Sequence, residues 1–551
     1  MIRPTPVWQL VLAFALSLAL LAGLIGWLQN VHIVTANGMY KSIQAEPWIA
    51  DPAQARLDPS NYLYFPLYGA MSRLLDVLGI ARGVPWKQFA YLNAFWASLA
   101  TVFVYAFAYH FAGSARVAAL AALFHLGCGT VLLLSVINED IMPGYALVLG
   151  AMLLAGLWFE RPTYGRVLIV AAVFTLGWLM EWRLLFPTLP ALGLALLAAE
   201  GPVRRRIGFA AALVVAMVAT AGIVQQVWEG HNGAVGLHDL LWTGKGVTSG
   251  WAGLAWGKLW MMLGGVGNYL FLLEAYPGPQ EAQADVVPLT LSAFVQLAIL
   301  GVAVIILWPR RREPRVRTVA IVFLGTLAAG QVLNIYSQPH DPQMQINVMA
   351  CVVVGWIAVL TWTLGQSRPA VTALVVLLSA LPLIANAVSL ARWQGGDARA
   401  IAALGELERR LPPEKTVFVY WGFEPITMWQ YALWSRTWDW DGAFEVSRAP
   451  SDSPRFKWIA ISAGAIRHPQ WTPEQHAQSL RRDVDMALDR GYEVVVSSVW
   501  RWPVDQFATQ LAGLAASNRA AAIHEALHAV YDAQPVYTDP TGEIYFRLKR
   551  R

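Results

Sequence analysis

Cysteine and charge are the two things this sequence has least of. Its 551 residues include only Cys128 and Cys351, both inside apolar runs. Neither a disulfide framework nor a cysteine metal site is therefore available. Charged residues make up 14% of the chain, against roughly a quarter in a soluble globular domain. Hydrophobic residues reach 57% and the mean hydropathy is +0.46, which excludes an ordinary soluble protein and points to a multi-pass membrane protein. No repeat of fixed period and no low-complexity tract is present. The formal charge of +5 would suit nucleic acid, but the arginines sit in short loops between apolar runs. That is a topology signal, so a nucleic-acid partner is excluded. The 26 tryptophans suit both interfacial belts and sugar-stacking surfaces.

Runs of spanning length predict about eleven helices, near residues 7–28, 88–111, 116–136, 142–159, 166–181, 184–199, 207–228, 287–308, 318–336, 345–364 and 369–390. The first run is too long for a signal-peptide core and no small-residue cleavage site follows it, so it reads as a retained span. Alternate loops are basic: Arg3, Arg116, Arg161 with Arg166, Arg204 to Arg206, Arg310 to Arg317, and Arg368. The loops between them carry Asn138-Glu139-Asp140, Glu181, Glu229 and Asp341. The bias sets the N-terminus in the cytoplasm and the acidic loops outside a cytoplasmic (inner) membrane.

Three regions then face outward. The loop at about 29–87 carries Asp51 and Asp58, and its second half reads as an amphipathic helix lying in the interface. The segment at about 229–286 is rich in Gly and Trp and reads as interfacial or re-entrant. Residues 392–551 regain ordinary charge. Short β-rich runs at Thr416–Tyr420, Lys457–Ser462, Tyr492–Ser498 and Glu543–Leu548 alternate with helical patterns at Glu474–Arg490 and Pro503–Ala516. The expected organisation is a helical membrane domain over 1–391 and an extracytoplasmic α/β domain over 392–551.

Carboxylates at the outer ends of spans are the candidates for chemistry, because ionisable groups at membrane depth are costly. Asp51 and Asp58 suit a base that deprotonates an acceptor hydroxyl, or a ligand for a divalent cation, the one cofactor these acids would serve. Each also precedes a proline and suits a helix N-cap. Glu139 and Asp140 suit acceptor or metal positioning, with an N-cap by Asp140 as the plain alternative. Arg183 suits a phosphate clamp, its planar fork being made for oxyanions, or a local ion pair with Glu181. His340 and Asp341 form a compact polar loop at the same surface and suit acceptor or metal positioning through phosphate or sugar contacts, with a turn capped by Asp341 as the plain alternative. His524-Glu525-Ala526-Leu527-His528 matches the HExxH pattern of zinc proteases, yet it is Ala-rich and no further helical ligand follows it.

The stretches NGMY, LDPSNYLYFPLYGAMSRLL and NEDIMPGYALVLGAMLLA, with the basic turn that follows, resemble the GT-C superfamily of integral-membrane glycosyltransferases. The likeness covers about the first 390 residues and is to the protein O-mannosyltransferase and aminoarabinose-transferase type. That resemblance implies an inverting transfer of a sugar from a polyprenyl-phosphate donor to a glycan, lipid or protein acceptor. It also implies a catalytic carboxylate in the first outward loop. The family commonly places an acid soon after the first span, where this chain has Asn37, and FPLY at Phe65–Tyr68 replaces a more usual HPPL-like run. The role then falls to Asp51 or Asp58. Arg183, Lys245 and Lys258 are the cations left for the donor phosphate. The competing readings are a transporter or flippase of a lipid-linked or sugar substrate, which predicts repeats and mid-membrane charges, and a membrane-anchored HExxH metalloprotease.

Overall fold

A computed structural model describes residues 5–28, 45, 48–52, 55, 62–82, 85–228, 257–272, 286–336, 342–366, 368–420, 457–460, 471–506, 517–538 and 544–551. It divides into two compact units, residues 1–393 and 394–551. The first unit is a bundle of apolar helices. In order these are α1 (Val7–Leu28), α2 (Tyr64–Val77), α3 (Pro85–Ala112), α4 (Ala115–Gly127), α5 (Gly129–Val136), α6 (Ile141–Trp158) and α7 (Tyr164–Met180). Then come α8 (Leu185–Leu197), α9 (Val203–Trp228), α10 (Gly257–Leu270), α11 (Val286–Leu307), α12 (Pro314–Tyr336), α13 (Ala350–Gly365) and α14 (Pro369–Arg410).

Among the described residues seven helices are long and apolar enough to cross a membrane, and eight if the bent pair α4–α5 is one span. Each predicted run coincides with an apolar helix, but those at 164–180, 182–197 and 350–365 are shorter. At 1.5 Å per residue the longest of these covers roughly 26 Å, against a hydrocarbon core of about 30 Å. A count of eleven crossings therefore remains a proposal.

Burial sorts these helices into inner and outer. In α6 78% of the apolar window is buried inside the protein, in α1 only 17%. Val7, Val287 and Ile305 are more than half exposed on helices without a charged residue, and so is Val215, which lies beyond the three arginines that open α9. Such surface is stable only in lipid. The span expected at 116–136 is broken at Cys128, where α4 and α5 bend by 67°. A break at this depth must satisfy its freed backbone groups from elsewhere in the protein. Asn386 of α14 does so: it donates to the carbonyls of Gly127 (2.7 Å) and Leu270 (2.9 Å) and accepts from the Leu272 amide (2.7 Å).

Helix α10 has 14 residues, about 21 Å, which is too short to span. It is held by Ser292 and Gln296 of α11, which donate to the carbonyls of Gly267 and Val266. Helix α2 begins where the first long loop returns to the bundle. The Leu63 amide bonds the Leu179 carbonyl at the end of α7 (2.9 Å), which ties that entry to the turn after α7.

The second unit holds a five-stranded sheet in the order β2-β1-β3-β5-β4. The strands are β1 (Thr416–Tyr420), β2 (Lys457–Ala460), β3 (Glu493–Val496), β4 (Tyr531–Thr538) and β5 (Ile544–Arg550). β1, β2 and β3 are parallel, while β5 and β4 run antiparallel. Helices α15 (Pro473–Asp489) and α16 (Ser517–Val530) cover it. β4 is absent from the sequence reading because Pro535 interrupts it. At an edge strand a proline is tolerated, and the pairing shifts register there, between Pro535 and Tyr537. Of the helix expected at 503–516, the described residues show only its first turn.

A buried acidic constellation as candidate functional site

Three connections meet at one end of the bundle. The α6 entry carries Asn138, Glu139 and Asp140, all fully buried. The α7–α8 turn carries Glu181 and Arg183, and the one-turn helix Pro342–Gln345 supplies Gln343. Arg183 joins them. Its Nε and Nη2 donate to the two carboxylate oxygens of Glu181 at 2.6 and 2.8 Å, a bidentate pairing. Nη2 also reaches Asp140 at 3.5 Å, and Nη1 reaches the Gln343 Oε1 at 3.4 Å. The local ion pair read from the sequence is thus present, and it extends to a second loop.

Asp140 stands at the N-cap position of α6 but its side chain makes no capping bond. The capping alternative does not hold, because that carboxylate faces the guanidinium instead. The close seat is set by glycine. A Cβ on Gly144 of α6 would lie 2.9 Å from the Gly177 carbonyl and 3.1 Å from Glu181 Cβ. Any side chain there would push α7, and Glu181 with it, away from Asp140.

The loop before α6 is pinned from below by a residue that the sequence reading missed. Asn93 of α3, fully buried, donates to the carbonyls of Ile137 (2.7 Å) and Glu139 (2.6 Å) and accepts from the Tyr68 hydroxyl. Tyr68 stacks on Tyr64, ring centroids 4.2 Å apart. Burial, then Tyr68 and the carboxylates of Asp140 and Glu139, push the Tyr64 phenol well above its ordinary range, so it stays a proton donor. Its hydroxyl is buried without a hydrogen-bond partner among the described residues. An Asn at the start of an apolar helix was the only available signal for Asn93. Replacing it by Leu leaves two buried carbonyls and a phenol unsatisfied, at about 1–3 kcal/mol each. Asn93→Leu is accordingly expected to lower thermal stability in detergent, and Asn93→Asp, which keeps the acceptor but sets a buried carboxylate against the two carbonyls, is expected to lower it as well.

Asp51 is exposed and follows a helical turn at 48–50. Three residues earlier, Trp48 is buried against α2, where a Cβ on Gly69 would fall 2.5 Å from Trp48 Cβ. Gly69 therefore seats the segment that bears Asp51. Lys258, half-buried in α10, has its ammonium pKa lowered by burial. Asp58, Lys245, His340 and Asp341 lie outside the described residues. Among the described residues no group of three or more His, Cys, Asp or Glu side chains is arranged to hold a metal ion. Arg183 pairs with both Asp140 and Glu181.

The HExxH segment lies in α16. His524 Nε2 contacts the Trp502 carbonyl at 3.0 Å and His528 Nε2 the Trp500 carbonyl at 2.9 Å. The two rings stack on each other, and His528 also stacks on Trp500. The nitrogens that a zinc ion would take are turned onto backbone, and Glu525 is exposed. These histidines fasten α16 to the 498–502 turn. Burial and then His528 lower the His524 pKa. A depressed folded pKa means stability that is present above the ordinary value of about 6.5 and lost as pH falls below it. Limited proteolysis of the full chain is expected to cut around α16 faster at pH 5 than at pH 7. His524→Gln, which cannot titrate, is expected to flatten that difference.

No protein-family model matches the chain, and no curated protein does. Among solved structures it is similar to ArnT from Cupriavidus metallidurans in the apo state, at 15% identity and a TM-score of 0.47, over 97% of each chain. It is also similar to ArnT from Cupriavidus metallidurans bound to undecaprenyl phosphate, at 13% identity and a TM-score of 0.49, again over 97% of each chain.

Proposed function

We propose that this chain is an integral-membrane glycosyltransferase that moves a sugar from a polyprenyl-phosphate donor to an acceptor at the outer face of the cytoplasmic membrane. The observation that carries it is the meeting of Asp140, Glu181 and Arg183 from two interhelical connections, with Glu139 buried next to Asp140 and the entry of α2 tied to the turn after α7. Spending this many buried ionisable groups at one end of an apolar bundle marks a functional site by default. The sequence resemblance over the first 390 residues supports the same chemistry. In this reading the basic loops face the cytoplasm and residues 394–551 stand outside.

Asp51 or Asp58 takes the proton of the acceptor hydroxyl as the acceptor oxygen attacks the anomeric carbon. The bond from that carbon to the phosphate oxygen breaks with inversion, and polyprenyl phosphate leaves as an anion. Glu139 and Asp140 position the acceptor through the buried network. Arg183, Lys258 and Lys245 are the candidates to meet the leaving phosphate. His340 and Asp341 contribute from the neighbouring loop.

The bent α4–α5 span favours a second reading, since broken helices build transporter sites. Reconstitution into liposomes with a labelled polyprenyl-phosphate sugar separates the two. A glycosyltransferase forms glycosylated product and releases polyprenyl phosphate. Movement of intact donor across the bilayer with no product would support the transporter.

A further inference from the structure

A second feature lies at the other end of the bundle and has no part in the transfer reading. An apolar groove of about 580 Å³ opens between α3, α8, α11, α12 and α13, within the size range of ligand pockets. Val304 and Leu324 on its walls are 46% and 42% exposed, so it is open along the bundle's outer side. Its floor is made by Gly355, where a Cβ would already touch Leu300 at 3.4 Å. Along α12 the lining runs from Val316 to Gly325, nine steps or roughly 14 Å. That is about half of a 30 Å hydrocarbon core, the depth of one leaflet.

The mouth is basic. Trp308, Arg311 and Arg317 line it, and Trp308 is 60% exposed. Arg311 lies over the Trp308 ring, 4.4 Å from its centroid, and donates to the Trp308 carbonyl at 2.9 Å. Arg317 donates to the Ala198 carbonyl at 2.8 Å. Among the described residues neither guanidinium meets a carboxylate, whereas Arg310 next to them is held by Glu313 at 2.8 Å. Two fixed, uncompensated guanidinium groups thus sit at headgroup level above a leaflet-deep apolar groove. We propose that this groove binds one anionic glycerophospholipid, an acyl chain between α11 and α12 and the phosphate on Arg311 and Arg317. Basic pockets between spanning helices recognise anionic headgroups in this way. A zwitterionic lipid would fill the groove equally well but would bring its own cation to the guanidinium pair.

Native mass spectrometry of the detergent-purified full chain tests this with phosphatidylglycerol and phosphatidylcholine of identical acyl chains. Wild type is expected to retain one phosphatidylglycerol, roughly tenfold or more in preference to phosphatidylcholine, as two basic residues near an anionic headgroup imply. Arg311→Gln with Arg317→Gln is expected to remove the preference, and Arg311→Lys with Arg317→Lys to keep it. Val304→Trp, at an exposed wall position, is expected to lower retention of both lipids. Equal retention of the two lipids by wild type, or an undiminished preference in the double Gln variant, would overturn the proposal. So would unchanged retention in Val304→Trp, or displacement of phosphatidylglycerol by substoichiometric polyprenyl phosphate.

Discussion

Arg183→Ala is expected to destabilise the membrane unit by about 3–5 kcal/mol, the cost of stranding one side of a buried ion pair. Glu181 is 1% exposed and Asp140 fully buried, and both share this one guanidinium, itself only a fifth exposed. Removing it takes from two buried carboxylates a guanidinium that both contact. Thermal unfolding in detergent, followed by tryptophan fluorescence, reads the effect. Arg183→Lys keeps the charge but gives up the fork, so a loss of intermediate size is expected. Glu181→Gln in the Arg183→Ala background removes one stranded charge and is expected to recover part of the loss. An unchanged midpoint in Arg183→Ala would show that the constellation does not hold the loops together.

The bundle was legible because lipid imposes long apolar runs and a basic bias on alternate loops, both visible in any stretch of a few tens of residues. The break at Cys128 was less so. Gly127 and Gly129 flank it, but the side chain that makes it tolerable, Asn386, lies more than 250 residues away. Asn138-Glu139-Asp140 and Glu181-Trp182-Arg183 could each be picked out, since charge at the end of an apolar run stands out. That Arg183 bridges them is a matter of packing at Gly144 and Gly177, which no local pattern encodes. Asn93 and Tyr68 carry no charge and stayed hidden, although they fix the backbone of the acidic loop. Asp140 was legible as a cap and is not one, because a guanidinium outbids a backbone amide for a buried carboxylate.

Asp51→Asn or Asp58→Asn is expected to lower the turnover number by about 10²–10⁴, the contribution of a positioned general base. The amide has the shape of the carboxylate and cannot take the proton. Asp51 is exposed, so its replacement is expected to leave folding and the unfolding midpoint unchanged. Loss of rate with no loss of stability therefore separates a base from a structural acid. Glu139→Gln differs, because Glu139 is fully buried in the network. It is expected to lose stability and rate together, as a positioning residue does.

The transfer rate from a polyprenyl-phosphate sugar, measured side by side for reconstituted wild type, Asp51→Asn, Asp58→Asn and Glu139→Gln, tests the central claim most directly. Wild type is expected to form product, with at least one aspartate variant slowed a hundredfold or more at an unchanged unfolding midpoint. Product formation at the wild-type rate by all three variants would contradict the assignment of these carboxylates to catalysis.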